Sequence, residues 1–306
     1  MARCSSAQAE VKDATMSHTV DIETIVAGVD DSSCSHPALE WAAKEAALRQ
    51  ATLRIVYAAT LPIGAWPVAP APSGFMEWQA ERSKDILDDA CKRVQDVTRG
   101  SVRVETVFAV ATPAAVLVEE STTAGLVVVG SRGRGSLARH LLGSVSTALV
   151  HRAHCAVAVI HDDEPTPDQH APVLLGYDGS PASDDAATLA FDEADRRNVE
   201  LVVLHAWWSP GAFDMPGFDW EQMRPDVDRE MAARLAPWQE QYPRVNVRRI
   251  VVADRPAHHL VELSATAQLV VVGSHGHGAL AGTLLGSVSG TVVQSVRTPV
   301  VIYRPR

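Results

Sequence analysis

The chain has 306 residues, 46% of them apolar, and 27 basic against 37 acidic side chains give it a formal net charge of −10. That balance leaves no basic patch for nucleic acid, and no apolar run reaches the roughly 20 residues that span a bilayer. Cys4, Cys34, Cys91 and Cys155 are scattered without C-x-x-C spacing. They point to neither a zinc site nor a disulfide framework, and a reducing cytoplasm suits them best.

In chain order, residues 1–20 lack the apolar core of a secretory signal and read as a disordered tail, with Met16 as an alternative start. Five Val/Ile-rich runs follow, near 24–29, 52–58, 102–108, 125–130 and 155–160. Helix-forming stretches separate them, among them Pro37 to Arg49. The acidic, proline-rich segment from His161 to Pro172 marks an exposed connector. Five more runs lie near 173–177, 199–206, 245–252, 268–273 and 298–303. Ser180 and Pro181 suit the cap and first turn of the helix between the first two. The expected domains are 21–162 and 172–306, joined by 163–171.

The second half repeats the first. VVVGSRGRGSLARHLLGSVS, residues 127–146, returns as VVVGSHGHGALAGTLLGSVS, residues 270–289. Asp30 corresponds to Asp178 and Ala58 to Ala206 at an offset of 148, whereas Gly130 corresponds to Gly273 at 143. Five residues are therefore missing from the middle of the second copy, before Pro256. Strand-helix alternation implies α/β architecture with parallel pairing and right-handed crossovers, and for each half an open five-stranded sheet ordered 3-2-1-4-5 with helices on both faces. In that order a ligand binds outside the carboxyl ends of the first and fourth strands.

The motif at that point is G-x2-G-x9-G-S: Gly130, Gly133, Gly143 and Ser144, then Gly273, Gly276, Gly286 and Ser287. The first two glycines allow a tight turn and close approach of backbone to phosphate. Ser144, Val145 and Ser146, and Ser287, Val288 and Ser289, would offer helix-start amides together with the serine hydroxyls. Neither the P-loop pattern nor a dinucleotide G-x-G-x-x-G after the first strand is present. Asp30 and Asp178 end the first strands, where a carboxylate suits a ribose hydroxyl pair or, equally, an Asx turn capping the next helix. Arg132 and Arg134 of the first loop become His275 and His277 in the second, either a phosphate lip that titrates near neutrality or side chains turned to solvent. Trp207 and Trp208 read as packing for a variable loop or an interface.

Together these residues resemble the universal stress protein family, in its ATP-binding, tandem two-domain form, from about Thr24 to Tyr303. The resemblance implies a Rossmann-like fold, one ATP site per half, with magnesium as an accompanying ion, and a homo-oligomer formed through the last strands. It places Gly28 with Asp30, and Gly176 with Asp178, at the ribose end, and the backbone of Ala58 and Ala206 at the adenine edge. Phosphates would meet Gly130, Ser131, Arg132, Gly133, Arg134, Gly135 and Ser136 with Gly143 to Ser146. Their counterparts are Gly273, Ser274, His275, Gly276, His277, Gly278 and Ala279 with Gly286 to Ser289. No nucleophile elbow, loop lysine or aimed general base is present, so a nucleotide-dependent regulator with at most slow hydrolysis is expected. An adenylating or pyrophosphatase-type enzyme and a nucleotide-free dimerisation scaffold remain the alternatives, and the last strands of one chain could also pair internally.

Overall fold

The computed structural model describes residues 22–30, 32, 35–60, 74–133, 142–161, 168–207, 219–277 and 285–304. The first half runs β1 (Thr24–Val29), α1 (Ser35–Arg49), β2 (Thr52–Ala58), α2 (Phe75–Thr98), β3 (Val104–Ala109), α3 (Pro113–Glu120), β4 (Leu126–Gly130), α4 (Ser144–Arg152) and β5 (Ala156–Ile160). The second runs β6 (Val173–Gly176), α5 (Pro181–Arg197), β7 (Leu201–Trp207), α6 (Trp220–Gln241), β8 (Val247–Ala253), α7 (Pro256–Ser264), β9 (Leu269–Gly273), α8 (Ser287–Ser295) and β10 (Val300–Tyr303). Ser180 caps α5 by accepting the Ser183 amide at 3.3 Å, and Pro181 opens that helix as its sequence anticipates.

Strands within each half are parallel, in the expected order 3-2-1-4-5, and the two sets are joined into one ten-stranded sheet, β3-β2-β1-β4-β5-β10-β9-β6-β7-β8. The join is antiparallel, with Val159 opposite Val300 and Val157 opposite Ile302. Burial on both faces explains why the central strands are nearly unbroken Val, Ile and Leu. Successive side chains of β1 divide between two cores: Ile25, Ala27 and Val29 pack beneath α1 and α2, while Val26 packs on the side of α3 and α4. The join also corrects one expectation. Both edges of β5 and β10 are used inside the chain, so a homo-oligomer built by edge pairing of the last strands has no free edge to use.

Where α1 and α5 meet across the join, charge is buried. Arg49 binds Glu45, Glu193 and, at 2.8 Å, Asp192; Arg197 binds Glu193 and Glu45; Arg196 meets Asp192 at 2.9 Å. Glu45 and Glu193 are each only 1% exposed. Burial pushes the Glu45 carboxyl up, but the Arg197 and Arg49 guanidiniums outweigh it and hold the group at about 2. Nothing in the helix-forming stretch of α1 announces this cluster, because its partners lie in the other half.

Candidate functional site

The site is built where the chain changes direction between β1 and β4. Ile25 pairs Leu126 and Ala27 pairs Val128, so Asp30, just past β1, stands beside Gly130 at the carboxyl end of β4. In the second half β6 pairs β9 in the same way, bringing Asp178 to Gly273. Ala58 closes the neighbouring strand β2, and Ala206 stands one residue before the end of β7, on the same edge.

Both readings of the aspartates meet in one geometry. Oδ1 of Asp30 accepts the Ser32 amide at 3.1 Å and also the Ser32 hydroxyl; Oδ1 of Asp178 accepts the Ser180 amide at 2.9 Å. These are Asx turns. The second oxygen of each carboxylate faces the opposite loop. Asp178 Oδ2 accepts the His277 amide at 3.3 Å, and a β-carbon on Gly133 would lie 2.7 Å from Asp30 Oδ2. A β-carbon on Gly276 would overlap Asp178 Oδ2 outright. Burial pushes the Asp178 carboxyl up, yet hydrogen bonds from Ser180, Ser183 and the His277 amide prevail and hold it below the ordinary aspartate value.

The glycine loops close on themselves identically. Gly143 donates its amide to Ser131 O, and Gly286 to Ser274 O, both at 2.8 Å. Ser131 in turn donates to Ile160 O at 2.7 Å and Ser274 to Tyr303 O at 3.0 Å, pinning each loop to the last strand of its half. α4 and α8 then begin with Gly143 and Gly286 as N-caps, and neither start carries a side-chain cap. Such a helix start presents amide hydrogens to an anion.

Several expected roles change. Gly28 and Gly176 are explained by packing: a β-carbon there would stand 2.7 Å from Leu117 Cδ1 and 3.0 Å from Leu260 Cδ1, so these glycines let α3 and α7 lie close on their strands. Ser146 and Ser289 are buried and donate their hydroxyls to Ser131 O at 3.0 Å and Gly273 O at 2.6 Å; they brace the loop instead of offering hydroxyls to a ligand. Ser131 and Ser274 are 3% and 0% exposed, and Val145 and Val288 pack on the core, so the side chains of these four are taken up inside the protein. Ser144 and Ser287 are exposed at the helix starts. Arg134, Gly135, Ser136, Gly278, Ala279 and Trp208 lie outside the described residues.

The two copies differ in ways only partly legible beforehand. His277 is exposed, and its Nε2–H donates to Asp178 O at 3.0 Å, while the half-buried His275 has Nδ1 2.8 Å from the Ser274 hydroxyl. Tyr177 replaces Val29; its hydroxyl donates to Asp184 at 2.8 Å, and burial pushes the phenol up. Beside Val29 and Asp30, a cleft of about 320 Å³ opens between α1 and α2. His205 Nδ1–H donates to Tyr177 O at 2.9 Å, and Trp207 stacks on Trp220 with centroids 5.8 Å apart.

Comparison with known proteins bears on the family and the fold. The profile of the universal stress protein family matches residues 21–161 and 170–304. A universal stress protein of Mycobacterium tuberculosis H37Rv is 49% identical over 286 residues, covering 92% of this chain and 96% of that protein. A second from the same strain is 46% identical over 287 residues, again covering 92% and 96%. Among solved structures, a universal stress protein from Archaeoglobus fulgidus superposes with a TM-score of 0.70 at 18% identity, covering 93% of this chain and 99% of that one.

Proposed function

The chain belongs to the universal stress protein family, and from that premise we propose that each half binds one adenine nucleotide, ATP foremost, as the input of a cytoplasmic regulator of stress response or growth state. One observation carries the reading: in both halves an uncapped helix start, a self-closed glycine loop and an aspartate with one carboxylate oxygen turned to that loop converge at the carboxyl edge of the sheet. Phosphates would rest on the amides of Ser144 to Ser146 and Ser287 to Ser289, against Gly133 and Gly276. Asp30 and Asp178, each with one carboxylate oxygen directed across the crevice, would accept ribose hydroxyls, and the backbone of Ala58 and Ala206 would meet the adenine edge.

Magnesium would enter on the nucleotide's own phosphates, since no group of three or more His, Cys, Asp or Glu side chains among the described residues could hold a metal ion. Hydrolysis would be slow, for want of a general base aimed at the terminal phosphate. Any association of whole chains would use a surface other than β5 and β10.

The test is to denature freshly purified protein and count the nucleotide released, beside a Gly130→Ala, Gly273→Ala variant. About two adenine nucleotides per chain in the parent, and few in a folded variant, are expected. If neither protein carries any, and none binds on adding ATP with magnesium, the reading fails. Release of pyrophosphate from added ATP would instead identify an adenylating enzyme.

A further inference from the structure

The charge cluster at the join is a closed ring with approximate two-fold symmetry. Glu45 corresponds to Glu193 and Arg49 to Arg197, at the offset of 148 that relates Asp30 to Asp178. Each helix pairs its own Glu-x3-Arg internally, and the ring closes across the join through Arg49 with Glu193 and Arg197 with Glu45. Two first halves brought together would supply the same four charges. The four-membered ring alone therefore does not distinguish unlike halves from like ones.

One position breaks the symmetry. Asp192 is 4% exposed and accepts Arg49 Nη1 at 2.8 Å across the join; its counterpart in α1 is Lys44, which is exposed. If a first half took the place of the second, Arg49 would lose its buried partner Asp192 to a lysine, twice over by symmetry, and Lys44, exposed at the equivalent position of α1, offers no carboxylate to replace it. A buried guanidinium left short of a partner costs several times what a surface pair gains.

We propose that Asp192 is the specificity-determining residue of this surface: the α1 face accepts the Asp-Glu-x3-Arg pattern of a second half and rejects the Lys-Glu-x3-Arg pattern of another first half. Every chain contributes one half of each kind. Forbidding first-with-first pairing therefore leaves every second half matched to a first half as well. The partner that fits α1 is thus a second-half domain, and association of two chains face to face through α1 is excluded.

The test uses the full chain and a ring of inverted sign, E45R/R49E/E193R/R197E, whose net charge equals the parent's. In the parent, Asp192→Lys puts lysine opposite Arg49 and should lower the thermal unfolding midpoint by about 5 °C or more. In the inverted ring the same substitution puts lysine opposite a glutamate and should raise the midpoint, or turn an unfolded protein into a folded one. A role in packing alone predicts a loss in both backgrounds. A drop in both, no change in the parent, or failure of both inverted proteins to fold overturns the proposal.

Discussion

Asp178 and Gly276 are interlocked: the second carboxylate oxygen of the aspartate, which accepts the His277 amide, occupies the place where a β-carbon on the glycine would stand. Asp30 and Gly133 repeat the relationship at 2.7 Å. The second glycine of the motif is thus required by the protein's own carboxylate, whatever the loop binds. Gly276→Ala should push the loop off Asp178 and weaken nucleotide binding in the second half by at least about ten-fold, with the first half unchanged and circular dichroism intact. Calorimetric titration resolves the two sites; equal affinity in variant and parent would remove the interlock from the site.

The two lips should differ in strength. His275 and His277 stand where the first loop has Arg132 and Arg134, and an arginine brings a permanent charge and a fork of five donors that a histidine does not. His275→Arg with His277→Arg should therefore tighten nucleotide binding at the second site by about five-fold, or roughly 1 kcal/mol, and leave the first site unchanged. Calorimetric titration reads both sites, and an unchanged second affinity would place these side chains away from the phosphates.

Acid should act on the charge ring. A carboxyl whose folded pKa lies below its unfolded value contributes stability above the unfolded value and loses it as pH falls through the folded one. For Glu45 that window runs from the ordinary glutamate value of 4.5 down to about 2. Glu45→Gln should cost about 3–5 kcal/mol near neutrality by leaving Arg197 and Arg49 short of a partner. It should also flatten the loss of stability between those two pH values, read from urea unfolding at a series of pH settings.

Gly28 can be separated from ligand binding. A β-carbon there would meet Leu117 Cδ1 at 2.7 Å, so Gly28→Ala should cost about 1–3 kcal/mol of stability through overpacking. Leu117→Ala, which empties that space at its own cost, should make the second substitution nearly harmless. Denaturant midpoints of the four proteins measure the coupling, and strict additivity would mean that the two side chains do not compete for space.

Much of this was readable along the chain. The positions of all ten strands follow from local Val/Ile runs, and the capping by Ser180 and Pro181 from two adjacent residues. The glycine spacing located both loops. Less was readable of roles inside the loops: Ser146 and Ser289 look like ligand hydroxyls in a string of letters, and only the proximity of Ser131 O and Gly273 O shows that they brace the backbone. Gly28 and Gly176 look like site glycines until α3 and α7 are laid across them.

The sequence by itself determined the repeat, the strand-helix alternation and hence the order of strands in each half, because hydrophobic period and turn chemistry act over a few residues. The tertiary structure alone decided that the halves join back to back through β5 and β10, that Glu45 and Arg49 find Glu193 and Arg197, and that Asp178 fills the space over Gly276. Those facts depend on which of many distant, chemically plausible partners come within reach. Long-range packing makes that choice, and no local pattern encodes it.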